Sequence, residues 1–89
     1  VKEKQYINTT KVSFKEKAIM SDQLFDGFNF YCKEKYESIE VEYLIKKNQD
    51  YTEYIAYFEY GDCIYCLSSN CDFLTITNMI QQSISSDNL

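Results

Sequence analysis

At 89 residues the chain is sized for a single domain, because pieces of half that length would bury too little surface to fold without metals or disulfides. Its 45% hydrophobic and 17% aromatic content belongs to a folded protein, and no stretch approaches the ~18 apolar residues of a membrane span or the charged-then-apolar start of a signal peptide, so it reads as soluble and fits the cytoplasm slightly best. The sequence has no histidine and no arginine, which excludes imidazole bases, histidine metal ligands and bidentate phosphate forks, and the net charge of −5 speaks against nucleic-acid binding over most of the surface.

The charge is unevenly placed. Lys2, Lys4, Lys11, Lys15 and Lys17 outnumber Glu3 and Glu16 at the start of the chain, whereas after Lys47 no cation follows and six carboxylates do. Residues 5 to 15 alternate moderately through Tyr6, Val12 and Phe14, which predicts a weak first strand whose lysines guard an edge. Asn8-Thr9-Thr10 fits a glycosylation sequon, a motif too short to carry a conclusion.

Residues 21 to 37 admit two readings. As a helix, Ser21 caps it and Leu24, Phe25, Phe28, Tyr31 and Cys32 form one apolar stripe; as a hairpin, Asp26-Gly27 is the turn and Phe28, Phe30 and Cys32 alternate. The helix is preferred, because the stripe is longer than the alternation and one glycine costs only about 1 kcal/mol. Residues 39 to 46 alternate cleanly through Ile39, Val41, Tyr43 and Ile45, the pattern of a half-buried strand. Lys47 to Asp50 form a turn, and 51 to 60 read as a strand rich in Tyr, Phe, Ile and Thr, although Asp50, Glu53 and Gly61 also suit a short helix. Gly61-Asp62 then turns into a third meander strand from Cys63 to Leu67. Asp72 caps a last helix carrying Phe73, Ile76, Ile80 and Ile84 at spacings of three and four.

The expected architecture is a single small α+β domain over residues 1–89: an antiparallel β-meander of three to four strands with two helices packed on one face. Its α-β-β-β-α section resembles that of double-stranded-RNA-binding domains in topology alone. An RNA-binding member would begin its last helix with a lysine cluster. Here Asn70-Cys71-Asp72-Phe73 brings none, so the resemblance implies a protein-binding version.

Four tyrosines lie between 51 and 60. On a strand, Tyr54 and Tyr60 join Ala56 and Phe58 on the more apolar side, which leaves Tyr51, Ile55 and Tyr57 beside Glu53 and Glu59 on the other. That second side is either an exposed aromatic patch with an acidic border or a face covered by another element. Cys63, Cys66 and Cys71, with Cys32, have a spacing compatible with zinc, with disulfides or with free thiols; thiols are preferred, since Ile64-Tyr65 on a strand would throw Cys63 and Cys66 to opposite faces. Pairs such as Glu37/Glu40 and Glu40/Glu42 read as solvated charges.

These features predict a non-enzymatic module without cofactor, metal or membrane contact, a monomer or homodimer that binds a protein with a basic surface. Tyr51, Glu53, Ile55, Tyr57, Glu59 and Asp62 are the predicted contact residues. Inhibitors of nucleases and immunity proteins are similar in size and charge. The alternative is a structural or dimerisation subunit of a larger complex.

Overall fold

The computed structural model of the chain describes residues 4–13 and 25–86. Five strands, β1 (Ile7–Ser13), β2 (Asn29–Tyr36), β3 (Ile39–Lys47), β4 (Thr52–Tyr60) and β5 (Cys63–Ser69), precede one helix, α1 (Phe73–Ser85). The strands form one sheet in the order β1-β5-β4-β3-β2, and every neighbouring pair is antiparallel. β2 to β5 make a meander, while β1 attaches to the far side of β5 with Ile7 opposite Ser69 and Ser13 opposite Cys63.

This corrects the expected architecture of two helices on a three-to-four-strand meander. The sheet has five strands, and α1 is the one helix among the described residues. Residues 29 to 36 are strand β2, not the second half of a helix; positions 21 to 24 of that predicted helix lie outside the described residues. The cause is a β-bulge. Phe30 pairs with Leu44 and Cys32 with Tyr43, so Tyr31 is an extra residue and the alternation breaks there. The interrupted period of two leaves apolar residues three and four apart, and on paper that imitates a helical stripe. With residues 29 to 36 in a strand and four strands in the meander, the α-β-β-β-α likeness to RNA-binding domains has no support among the described residues.

The β2–β3 connection is the two-residue loop Glu37-Ser38, with φ of 48° and 68°. Two left-handed residues in succession are what a type I′ turn demands, because that turn matches the right-handed twist of its strands. The β4–β5 loop, Gly61-Asp62, has its positive φ of 63° on glycine, which bears it without steric cost.

One face of the sheet packs against α1. Val41, Tyr43, Ala56, Phe58 and Leu67 from three strands meet Ile76, Ile80 and Ile84 from the helix. Asp72 caps α1 by accepting from the Thr75 amide at 2.7 Å, which satisfies one of the orphan donors of the first turn. The opposite face holds a smaller cluster, in which Leu44, Ile55 and Cys66 lie under Phe25, Phe28 and Tyr57.

Candidate interaction surface

The second face is a covered one. Ile55, one of the predicted contact residues, retains 1% of its accessible surface, because the chain entering β2 lays Phe25 and Phe28 across it. Tyr57 is half-buried, with its ring 5.0 Å from that of Phe25, and its hydroxyl donates to the Glu42 carboxylate. Burial first, and then the neighbouring Glu42, push its phenol well above the usual tyrosine range. Tyr51 is half-buried in the β3–β4 turn, where its carbonyl accepts from the Asn48 amide at 2.8 Å. Of the two readings of this side, the covered one holds at Ile55 and Tyr57, where rings from an earlier segment dry that part of β4.

Glu53 has a structural task. Its carboxylate accepts from the Tyr6 hydroxyl and, at 2.9 Å, from Asn48 Nδ2, so it ties the segment before β1 and the β3–β4 turn to β4. Glu59 and Asp62 are exposed. The predicted set is thus divided: Tyr51, Glu53, Ile55 and Tyr57 serve packing and turn geometry, and Glu59 with Asp62 remain at the surface.

What surrounds those two carboxylates follows from strand polarity. β3 runs antiparallel to β4, so the Glu37-Ser38 loop and the Gly61-Asp62 loop lie at the same end of the sheet. Glu40 and Glu59 each lie two residues beyond the paired Glu42 and Tyr57, which places them on one face at that end. Tyr60, 41% exposed, leaves β4 on the opposite, helix-side face, with its ring edge-on to Tyr65 at 6.5 Å. Lys33 reaches Glu40 at 3.6 Å and Glu42 at 3.8 Å from the β2 side. The hairpin end thus carries four exposed carboxylates, Glu37, Glu40, Glu59 and Asp62, with Tyr60 accessible at the same end on the helix-side face. The sequence reading assigned Tyr60 to the core and Glu37 and Glu40 to isolated solvated charge. Counting strand directions through the two hairpin loops is the signal that brings them together.

The four cysteines are free thiols. Cys66 lies with Leu44 and Ile55 on one face, while Cys71 belongs to the helix-side cluster and Cys32 packs against it. Burial pushes the Cys66 thiol up to about 12, which makes it a poor nucleophile at neutral pH. Tyr43, fully buried on the helix side, shares a 3.1 Å hydrogen bond with the Tyr36 hydroxyl, and its phenol is raised chiefly by burial. Among the described residues no group of His, Cys, Asp or Glu side chains is arranged to hold a metal ion, and no helix is long and apolar enough to cross a membrane. Comparison with protein-family models, with curated proteins and with solved structures finds no match to this chain.

Proposed function

We propose that the chain is a non-enzymatic protein-binding module that masks a basic surface of its partner, in the manner of an inhibitor or immunity-type protein directed at an enzyme such as a nuclease. The observation that carries this reading is the hairpin end, where Glu37, Glu40, Glu59 and Asp62 are exposed together and Tyr60, 41% exposed, reaches the same end from the helix-side face. A tyrosine supplies a wide contact at small entropic cost, and carboxylates at the same end select lysine and arginine and speed encounter. The contact surface is therefore moved from the middle of β4 to its end: Glu59 and Asp62 are kept, and Tyr60 takes the anchoring part first given to Tyr51 and Tyr57.

Backbone strain supports the same end. Glu37 holds a left-handed conformation that asparagine or glycine adopts more cheaply, and a residue kept against its conformational preference points to a use for its side chain.

The test compares capture by immobilised wild type and by the double variant Glu59→Lys with Asp62→Lys from a lysate of the native source, at about 50 mM and about 500 mM salt. A basic protein retained by the wild type at low salt, released at high salt and lost by the variant is the expected result. Equal retention by both, with melting temperatures unchanged, would remove the hairpin end from consideration.

A further inference from the structure

Helix α1 covers the middle of its face of the sheet and leaves the β1 side bare. It packs on Val41, Tyr43, Ala56, Phe58 and Leu67, and no described residue of β1 joins that core. Thr9 and Lys11 of β1 are exposed, although they stand on the same face as the buried Leu67. Between β1 and α1 the structure therefore opens a hollow of about 490 Å³, whose lining includes Phe58, Tyr65, Leu67, Ile80, Thr9 and Lys11. That volume falls in the ~300–1,000 Å³ range of small-molecule sites.

The strand register orders its floor. Phe58 is opposite Tyr65 and Tyr65 opposite Lys11, so two rings and an ammonium follow one another across three strands, and Leu67 with Thr9 belongs to the next row. The Phe58 and Tyr65 rings are stacked at 5.3 Å with 14° between their planes. Lys11 leans over this floor: its Nζ is 5.2 Å from the Tyr65 ring centroid. In a chain of net charge −5, no carboxylate among the described residues lines the hollow, so the charge that its described lining carries is positive.

We infer that the hollow binds a small aromatic carboxylate, with one or two fused rings laid against Phe58, Tyr65 and Leu67 and the carboxylate held by Lys11. Shape selects the ring. The two rows lie about 7 Å apart and the three strands span about 10 Å, a short and broad footprint that a flat ring system fills and an extended alkyl chain overruns. Order selects the charge: inward lies the apolar floor, walled by Ile80 of α1, and outward lies the ammonium of an exposed edge residue. An aromatic anion matches both ends, because it buries its ring and keeps its carboxylate at the solvent edge, where neither ion has to be fully desolvated.

Titration of the isotope-labelled chain with naphthoate, followed by amide chemical shifts, tests this. Naphthoate should bind with a dissociation constant of about 1 mM and move the amides of Thr9, Lys11, Tyr65, Leu67 and Ile80. Naphthamide, which keeps the shape without the charge, and octanoate, which keeps the charge without the ring, should each bind at least about threefold more weakly. Lys11→Gln should weaken naphthoate by a similar factor and leave naphthamide unchanged. Lys47→Gln makes the same change in net charge at an exposed site about 20 Å along the sheet, and should alter neither. Thr9→Phe, which puts a ring into the hollow from an exposed strand position, should abolish binding with an unchanged melting temperature. Amides that stay unmoved at about 5 mM naphthoate would overturn the inference. So would naphthamide or octanoate binding as tightly as naphthoate, or Lys11→Gln behaving as Lys47→Gln does. Thr9 and Lys11 lie apart from the hairpin-end carboxylates, so this site and partner capture can fail separately.

Discussion

Glu37 and Ser38 close the β2–β3 hairpin with two consecutive left-handed residues, and neither has the small or amide side chain that a type I′ loop prefers. Each left-handed residue of this kind costs about 1 kcal/mol against glycine or asparagine. Replacing the pair with Asn-Gly should raise stability by about 1–2 kcal/mol and the melting temperature by several degrees, as read by thermal unfolding. The same change deletes one carboxylate of the acidic hairpin end, so affinity for a basic partner should fall while stability rises. A loop that stabilises the fold without weakening binding would show that Glu37 has no part in the contact. At the same scale, Ser69 is buried with no accessible surface and works in both directions: its hydroxyl donates to the Tyr6 carbonyl at 2.8 Å and accepts from the Cys71 amide at 2.9 Å. Ser69→Ala leaves a buried amide without its acceptor and should cost about 1–3 kcal/mol by denaturant unfolding. Because one of the lost bonds holds the entry to β1, amide exchange should accelerate in β1 before it does in β3 or β4.

Among the elements, β3, β4, β5 and α1 were legible because each keeps one period throughout: alternation from Ile39 to Lys47, and spacings of three and four from Phe73 to Ile84. The Gly61-Asp62 turn was legible for the same kind of reason, since glycine stands where the backbone needs a positive φ. β2 was not. The bulge at Tyr31 breaks its alternation, and the Glu37-Ser38 loop that ends it lacks the residues that announce a hairpin. Contact surfaces fared worse than elements, because whether a strand face is open depends on what a distant segment does. The split of Tyr54 and Tyr57 onto opposite faces follows from the period of two, but nothing near Ile55 tells that Phe25 and Phe28 cover it. Tyr31 shows the same limit from the other side. Its ring lies 4.9 Å from Phe73 and 5.7 Å from Tyr54, a contact between the sheet edge and the start of α1 that arises only because the bulge turns Tyr31 toward the helix.

For the molecule as a whole, stability should fall in alkali. Burial raises the thiols of Cys66 and Cys32 and the phenols of Tyr43, Tyr54 and Tyr57 above their ordinary values. All of these groups are neutral when protonated, so the folded state keeps protons that the unfolded chain gives up, and stability falls with rising pH. The sign fixes the window: the full contribution of Cys66 is present below its unfolded value of 9.0 and is lost progressively as the pH climbs toward about 12. Each unit of that interval removes up to about 1.4 kcal/mol for one fully shifted group, and the tyrosines join as the pH passes 10. On the acid side, hydrogen bonds to Thr75 hold the Asp72 carboxyl below its ordinary value, and this solvent-exposed cap loses its modest contribution as the pH falls through its folded value. Urea midpoints measured from pH 7 to 11 should therefore hold nearly level up to about pH 9 and then drop steeply. Cys66→Val removes the group while filling the same apolar site, and should make the first part of that drop shallower. An alkaline limb identical in Cys66→Val and wild type would show that the buried thiol does not set it.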